Sequence, residues 1–196
     1  AFQLDVGNTK GFEDFFNQLS TFLNNEYGNP NFDFLINNAG TGINQSITDT
    51  SEEQFDTMLN IHFKGVYFLT QKALPFINNQ GSIVNISSGL TRFSFPGMSA
   101  YACMKGAIEV FSRYLAKELG SRKITSNVVA PGAIATDFGG GSNRDSQEKR
   151  LIISNMTALG NVGEAEDIGG VVAFLCTNEA RWVNGQRIEV SGGMLL

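Results

Sequence analysis

Strand-like and helix-like stretches alternate along the whole chain with no linker or low-complexity segment between them, and this alternation restricts the fold more than any other feature. Phe12, Phe15, Phe16, Leu19, Phe22 and Leu23 fall on one stripe and predict a helix from about Gly11 to Tyr27. A strand at Phe32 to Ile36 follows. A long helix then opens on the cap-like Thr50 or Ser51, ahead of Glu52 and Glu53, and carries Phe55, Leu59, Val66, Leu69 and Ala73. Beyond it come a strand at Ser82 to Ile86, a helix marked by Met104, Ala107, Ile108, Phe111, Leu115 and Leu119, and a strand at Ser126 to Val129. A helix near Glu164 to Cys176 and a last strand at Arg187 to Val190 complete the series. Such βα units predict a parallel sheet covered by helices on both faces, the doubly wound α/β class. With 42% hydrophobic residues among 196, one domain spanning residues 1–196 has ample core, and the 16 Phe residues read as part of it.

The charge pattern excludes several partners. A net charge of −5, from 14 basic and 19 acidic residues, includes no basic tract to neutralise phosphates, which argues against nucleic acid and anionic membranes. No apolar run approaches the roughly 18 residues of a membrane span. Cys103 and Cys176 lie in apolar helical runs without a C-x-x-C spacing and read as small buried hydrophobes, reduced thiols of a cytoplasmic protein. His62 is the only histidine and reads as a helix-face residue, leaving no Ser/His/Asp triad and no His-rich metal site.

One segment carries chemistry. In ISSGLTRFSFPGMSAYACMKGAIEVF, Lys105 follows Tyr101 by four residues, so on a helix the two share a face about one turn apart. An ammonium beside a phenol favours the phenolate, which predicts a Tyr101 pKa below its ordinary value of about 10. Ser88 ends the β-branched run GSIVNISS, placing its hydroxyl at the carboxyl end of a buried strand, where open α/β sheets bind ligands. Ser87 and Asn37 read as structural, Asn37 as a residue that ties adjacent strands.

NNAG at Asn37 to Gly40, Asn60 in LNIHFKG, Ser88, Tyr101, Lys105 and the run Pro131-Gly132-Ala133-Ile134-Ala135-Thr136 stand in an order and spacing that resemble the short-chain dehydrogenase/reductase family. The resemblance runs to the terminal NGQRIEVSGGM. It implies an NAD- or NADP-dependent oxidoreductase that interconverts a small-molecule carbonyl and a secondary alcohol. Tyr101 would be the general acid or base, Ser88 would polarise the substrate oxygen, Lys105 would hold the nicotinamide ribose, and Asn60 would fix a water in the proton relay. Asp5 and Val6 would contact adenine, Asn38 would follow along the sheet edge, and Ile134 and Thr136 would meet the nicotinamide carboxamide. The segment from Asp137 to Asn161 occupies the place of the family's substrate lid, and Phe93, Phe95, Met98, Ile152, Ile153 and Met156 suggest an apolar pocket wall. Arg144 or Arg150 could meet an anionic substrate, although solvated surface arginines are the commoner case.

By the same resemblance AFQLDV is the family's third strand, and its glycine-rich phosphate turn has no counterpart here. The expectation is therefore a piece of a longer chain. A homo-oligomer, tetramer or dimer, is also expected, with Met194, Leu195 and Leu196 as apolar residues that a monomer would leave in water. Two alternatives are a catalytically silent cofactor-binding or regulatory protein on this fold and a nucleotide-sugar epimerase or dehydratase. The second is disfavoured because only about ninety residues follow Lys105.

Overall fold

The computed structural model describes residues 1–196. Strands β1 (Phe32–Asn37), β2 (Ile77–Ile86), β3 (Thr125–Pro131) and β4 (Arg187–Val190) form one sheet in sequence order, every neighbouring pair parallel. Helix α1 (Phe12–Tyr27) precedes β1. Between β1 and β2 run α2 (Glu52–Leu59), a π-helical turn (Asn60–Lys64) and α3 (Gly65–Ala73). Helix α4 (Ser99–Glu118) joins β2 to β3, and α5 (Ser142–Asp145), α6 (Gln147–Met156) and α7 (Ala165–Leu175) lie between β3 and β4. The expected doubly wound parallel arrangement is present.

Local chemistry sets the helix ends. The Ser51 side chain accepts from the Gln54 N–H at 3.2 Å while the Gln54 side chain accepts from the Ser51 N–H at 3.0 Å, a reciprocal cap that starts α2. Glu164 and Asp167 cap α7 in the same way. Helix α1 stops at Gly28, whose φ of 68° few other residues accept cheaply.

Alternation along β2 covers both faces of the sheet. Ile83 packs with Phe12, Phe16, Leu69 and Leu115 of α1, α3 and α4, whereas its neighbour Val84 packs with Val129 and with Leu175 of α7. Burying these side chains is the main favourable term in holding the layers together.

Four expectations need correction. Strand β2 begins at Ile77 rather than Ser82. Asn78-Asn79-Gln80-Gly81 bulge opposite Asp33, between the Phe32–Ile77 and Phe34–Ser82 pairs, and this register shift is absorbed by Gln80 at φ 68° and by Gly81, where a Cβ would approach the Asp33 carbonyl to 2.5 Å. Residues 1–6 form no strand, for they pair with no ladder; Phe2 instead packs edge-on against Phe15 and Phe22 of α1. An apolar groove of about 410 Å³ lies between this segment, α1 and β1. Cys103 is exposed and Cys176 only half-buried, because Cys103 falls on the face of α4 opposite the buried Ile108. Met194 is buried rather than left in water.

Candidate active site

Ser88 leaves the carboxyl end of β2 and caps a short 3-10 turn, its Oγ accepting from the Leu90 N–H at 3.2 Å. Tyr101 and Lys105 stand one turn apart on the buried face of α4, with 7% and 5% of their surface exposed. Lys105 Nζ lies 5.5 Å from the centre of the Tyr101 ring and donates one hydrogen bond, to the Ile86 carbonyl at 2.8 Å. Two of its three N–H donors remain spare.

Burial governs the protonation of this pair. It pushes the Tyr101 phenol up to about 12, with the Ser88 hydroxyl pulling the other way, and it pushes the Lys105 ammonium down to about 8. The expectation of a lowered phenol pKa therefore fails here. Desolvation of the phenolate outweighs the Ser88 hydrogen bond, and the phenol stays protonated at neutral pH.

Sequence reasoning missed the residue that faces Tyr101 from the other side. His62 is fully buried in the π turn, and its ring meets Tyr101 edge-on at 5.0 Å between centres. Its Nε2 lies 2.7 Å from the Thr41 carbonyl oxygen, and its Nδ1 is buried without a hydrogen-bond partner. Burial first, and then the Lys105 ammonium, hold its pKa down to about 4, against the opposing pull of the Thr41 carbonyl. Position 62 does carry a signal, since it lies four residues from both Met58 and Val66, which are themselves buried. Asn60 is half-buried, and its carbonyl accepts from the Gly65 N–H to close the π turn. No hydrogen bond joins its side chain to Ser88, Tyr101 or Lys105.

The other candidates are spread along the carboxyl edge of the sheet. Asn38 follows β1 and is exposed. Ile134, beyond β3, bridges to Gly163, and the Thr136 hydroxyl accepts from the Phe138 N–H at 3.3 Å. The Asp5 carboxylate accepts from the Gly7 N–H at 2.9 Å, and Val6 presses its carbonyl against Gly65. Asn37 ties strands through its side chain, donating to Asn85 at 2.7 Å and to Thr70 at 3.0 Å, and Asn85 donates onward to Ser112 at 2.8 Å. Ser87 donates to Glu109 at 2.8 Å, a structural contact.

The wall opposite Tyr101 also differs from expectation. Phe138, not singled out in the sequence, places its ring 5.6 Å from that of Tyr101. Phe93 and Phe95 meet edge-on at 5.8 Å, and Ile153 is buried while Ile152 is half in water. Arg144 pairs with Asp137 and Asp145, and Arg150 with Glu164, so neither is a free cation.

The family model described as enoyl-(acyl carrier protein) reductase matches residues 1–195. An uncharacterized oxidoreductase of Methylorubrum extorquens is 38% identical over 162 residues, covering 83% of this chain and 65% of that protein. The 3-oxoacyl-[acyl-carrier-protein] reductase FabG of Thermotoga maritima is 35% identical over 166 residues, covering 84% of this chain and 66% of that protein. The chain thus spans slightly less than two thirds of these relatives' length. Among solved structures, the angucycline C-6 ketoreductase LanV with bound NADP superimposes with a TM-score of 0.90 at 36% identity, over 97% of this chain and 73% of that one. The parallel sheet, the Ser88–Tyr101–Lys105 grouping at its carboxyl edge and these matches over nearly the whole chain agree, and the chain belongs to the short-chain dehydrogenase/reductase family.

Proposed function

We propose that the protein is an NAD- or NADP-dependent oxidoreductase that interconverts a small-molecule carbonyl and a secondary alcohol, with Tyr101 as its general acid and base. The observation that carries this reading is the meeting of a buried phenol, a buried ammonium with spare donors and the Ser88 hydroxyl at the ligand-binding edge of the sheet. The donor set fits a nicotinamide nucleotide, because the two unused N–H groups of Lys105 suit ribose hydroxyls. Asn38, Ile134 and Thr136 lie along the same edge, with Asp5 and Val6 beside the start of α3. A bound nicotinamide would supply or accept the hydride.

The protein's own part is to place the carbonyl and move a proton. Ser88 donates a hydrogen bond to the substrate oxygen, and Tyr101 Oη delivers its proton there as negative charge develops. A phenol kept protonated by burial suits carbonyl reduction, and the similarity to the ketoreductase LanV accords with that direction. Phe138 and the rest of residues 137–161 act as a lid that keeps water from this reaction. The unpaired thiols fit a cytoplasmic setting, and no helix is long and apolar enough to cross a membrane.

Tyr101→Phe tests the reading. Turnover across a panel of ketones is expected to fall by about 10²-fold or more, the usual scale of general acid catalysis, while titration of protein fluorescence still reports cofactor binding. Near-normal turnover in this variant would remove Tyr101 from the role.

A further inference from the structure

We propose that Glu109 is a positioning residue for Ser88: its carboxylate, anchored by Arg187, holds the turn that presents the Ser88 hydroxyl to the substrate oxygen. This rests on the oxidoreductase reading above and adds a residue to it.

Spacing puts Glu109 in line with the reacting groups. Tyr101, Lys105 and Glu109 follow one another at four-residue intervals on α4, so the carboxylate stands one turn beyond the ammonium on the same face. The Lys105 ammonium bonds the Ile86 carbonyl, and it is the Arg187 guanidinium of β4 that pairs with Glu109, Nε to Oε1 at 2.8 Å. The side chains of Arg187 and Glu109 are only 23% and 15% exposed, and Arg187 Nη1 donates in turn to the Glu189 carboxylate at 2.9 Å. Such charge-assisted bonds, largely withdrawn from water, fix the Glu109 carboxylate in place.

Three donors converge on the same carboxylate oxygen, and two of them flank Ser88. A hydroxyl has one hydrogen to give. That of Thr91 has Glu109 Oε1 at 2.7 Å and the Ser88 carbonyl at 3.0 Å, and that of Ser87 has Oε1 at 2.8 Å and the Lys105 carbonyl at 3.4 Å. The shorter contact, to the charged oxygen, takes each of them. The Ser88 carbonyl is then left to Arg187, whose Nη2 stands 3.3 Å away. Residues 87, 88 and 91 are thus tied to one carboxylate–guanidinium pair. Between these ties Ser88 Oγ accepts from the Leu90 N–H at 3.2 Å, which uses a lone pair and leaves the hydroxyl hydrogen for the substrate. Misplacing a reacting group by about 1 Å costs up to about 10²-fold in rate, so a turn that carries this hydroxyl gains from being held.

A double-mutant cycle on the whole protein separates placement of Ser88 from general support of the fold. Glu109→Ala is expected to lower kcat about tenfold or more while the KM for cofactor changes less than about twofold, and Glu109→Gln, which keeps an acceptor, to recover most of the loss. In a Ser88→Ala background, Glu109→Ala should cost less than about twofold further, because the hydroxyl it places is gone. The same fold-loss in both backgrounds, or wild-type kcat in Glu109→Ala, would overturn the proposal. A second readout needs no turnover: by NMR, the Leu90 amide should exchange with solvent about tenfold faster or more in Glu109→Ala while Val128 and Val129 of β3 keep their rates. Unchanged exchange at Leu90 would also overturn it. Should Glu109→Ala fail to fold by circular dichroism, Thr91→Val, which removes the bridging hydroxyl and leaves both charges, takes its place in the cycle and in the exchange measurement, with the same expected and overturning results. A wild type inactive with every carbonyl and both cofactors would instead overturn the oxidoreductase reading, and Leu90 exchange would still decide whether Glu109 sets Ser88.

Discussion

In the folded chain His62 titrates at about 4 because burial and the Lys105 ammonium both oppose the imidazolium; unfolded, it returns to 6.5. Between these values the unfolded chain binds a proton that the folded chain does not, so stability is lost as pH falls from about 6.5 towards 4. The groups facing the ring are the Lys105 ammonium and Tyr101 phenol of α4 and the Thr41 carbonyl, and neither side chain changes charge in this window. Urea unfolding at pH 7 and pH 5 should show the wild type losing roughly 1–2 kcal/mol more than His62→Asn; equal losses would mean that the ring is solvated. Ser88, Tyr101 and Lys105 were legible in the sequence because helical spacing and a strand terminus announce them. His62 was not, because a lone histidine has no partner in the sequence, and its significance comes from a carbonyl and a phenol brought to it by other segments.

At the scale of elements, caps and apolar stripes were readable and interruptions were not. The reading of one continuous helix from residue 51 to residue 73 failed to mark the π turn, whose extra residue turns the inward face of α2 towards Met58 and leaves Phe55 43% exposed. Nothing in NIHFK announces such a turn. Tertiary contact fixes it through Gly65, where a Cβ would stand 2.1 Å from the Val6 carbonyl oxygen and 2.7 Å from that of Asn60. These are backbone atoms, so Gly65→Ala is expected to destabilise the protein by about 2 kcal/mol or more. Gly170→Ala, in a helix with open space at that position, should be neutral or slightly stabilising. Thermal melting of the two variants provides the comparison, and equal melting temperatures would contradict the packing described for Gly65.

Over the whole molecule, α3 and α4 leave Tyr67, Phe68, Val110 and Tyr114 substantially exposed, with Tyr67 stacked on Phe111 at 4.6 Å. An aromatic surface of this kind marks an interface, and we propose that these helices pair between copies in a homodimer or homotetramer. Light scattering at micromolar concentration should give a multiple of the chain mass, and Tyr114→Glu should reduce it; a monomer mass for the wild type would count against the assembly. The parallel layering was legible from the βα alternation, whereas the docking of the last residues was not, because it depends on one side chain far away in sequence. Arg92, just beyond Ser88, binds the Glu189 carboxylate at 2.7 and 2.8 Å and the carbonyls of Met194 and Leu195. The Leu195 N–H in turn donates to Met156 at the end of α6 at 2.8 Å. Synthesis runs from the amino end, so a nascent polypeptide already displaying Ser88, Tyr101 and Lys105 still lacks the residues that Arg92 grips. The contacts that tie the last residues to Arg92 and to the end of α6 form only once residue 195 has cleared the ribosome, and a chain released before β4 carries the reacting groups without them.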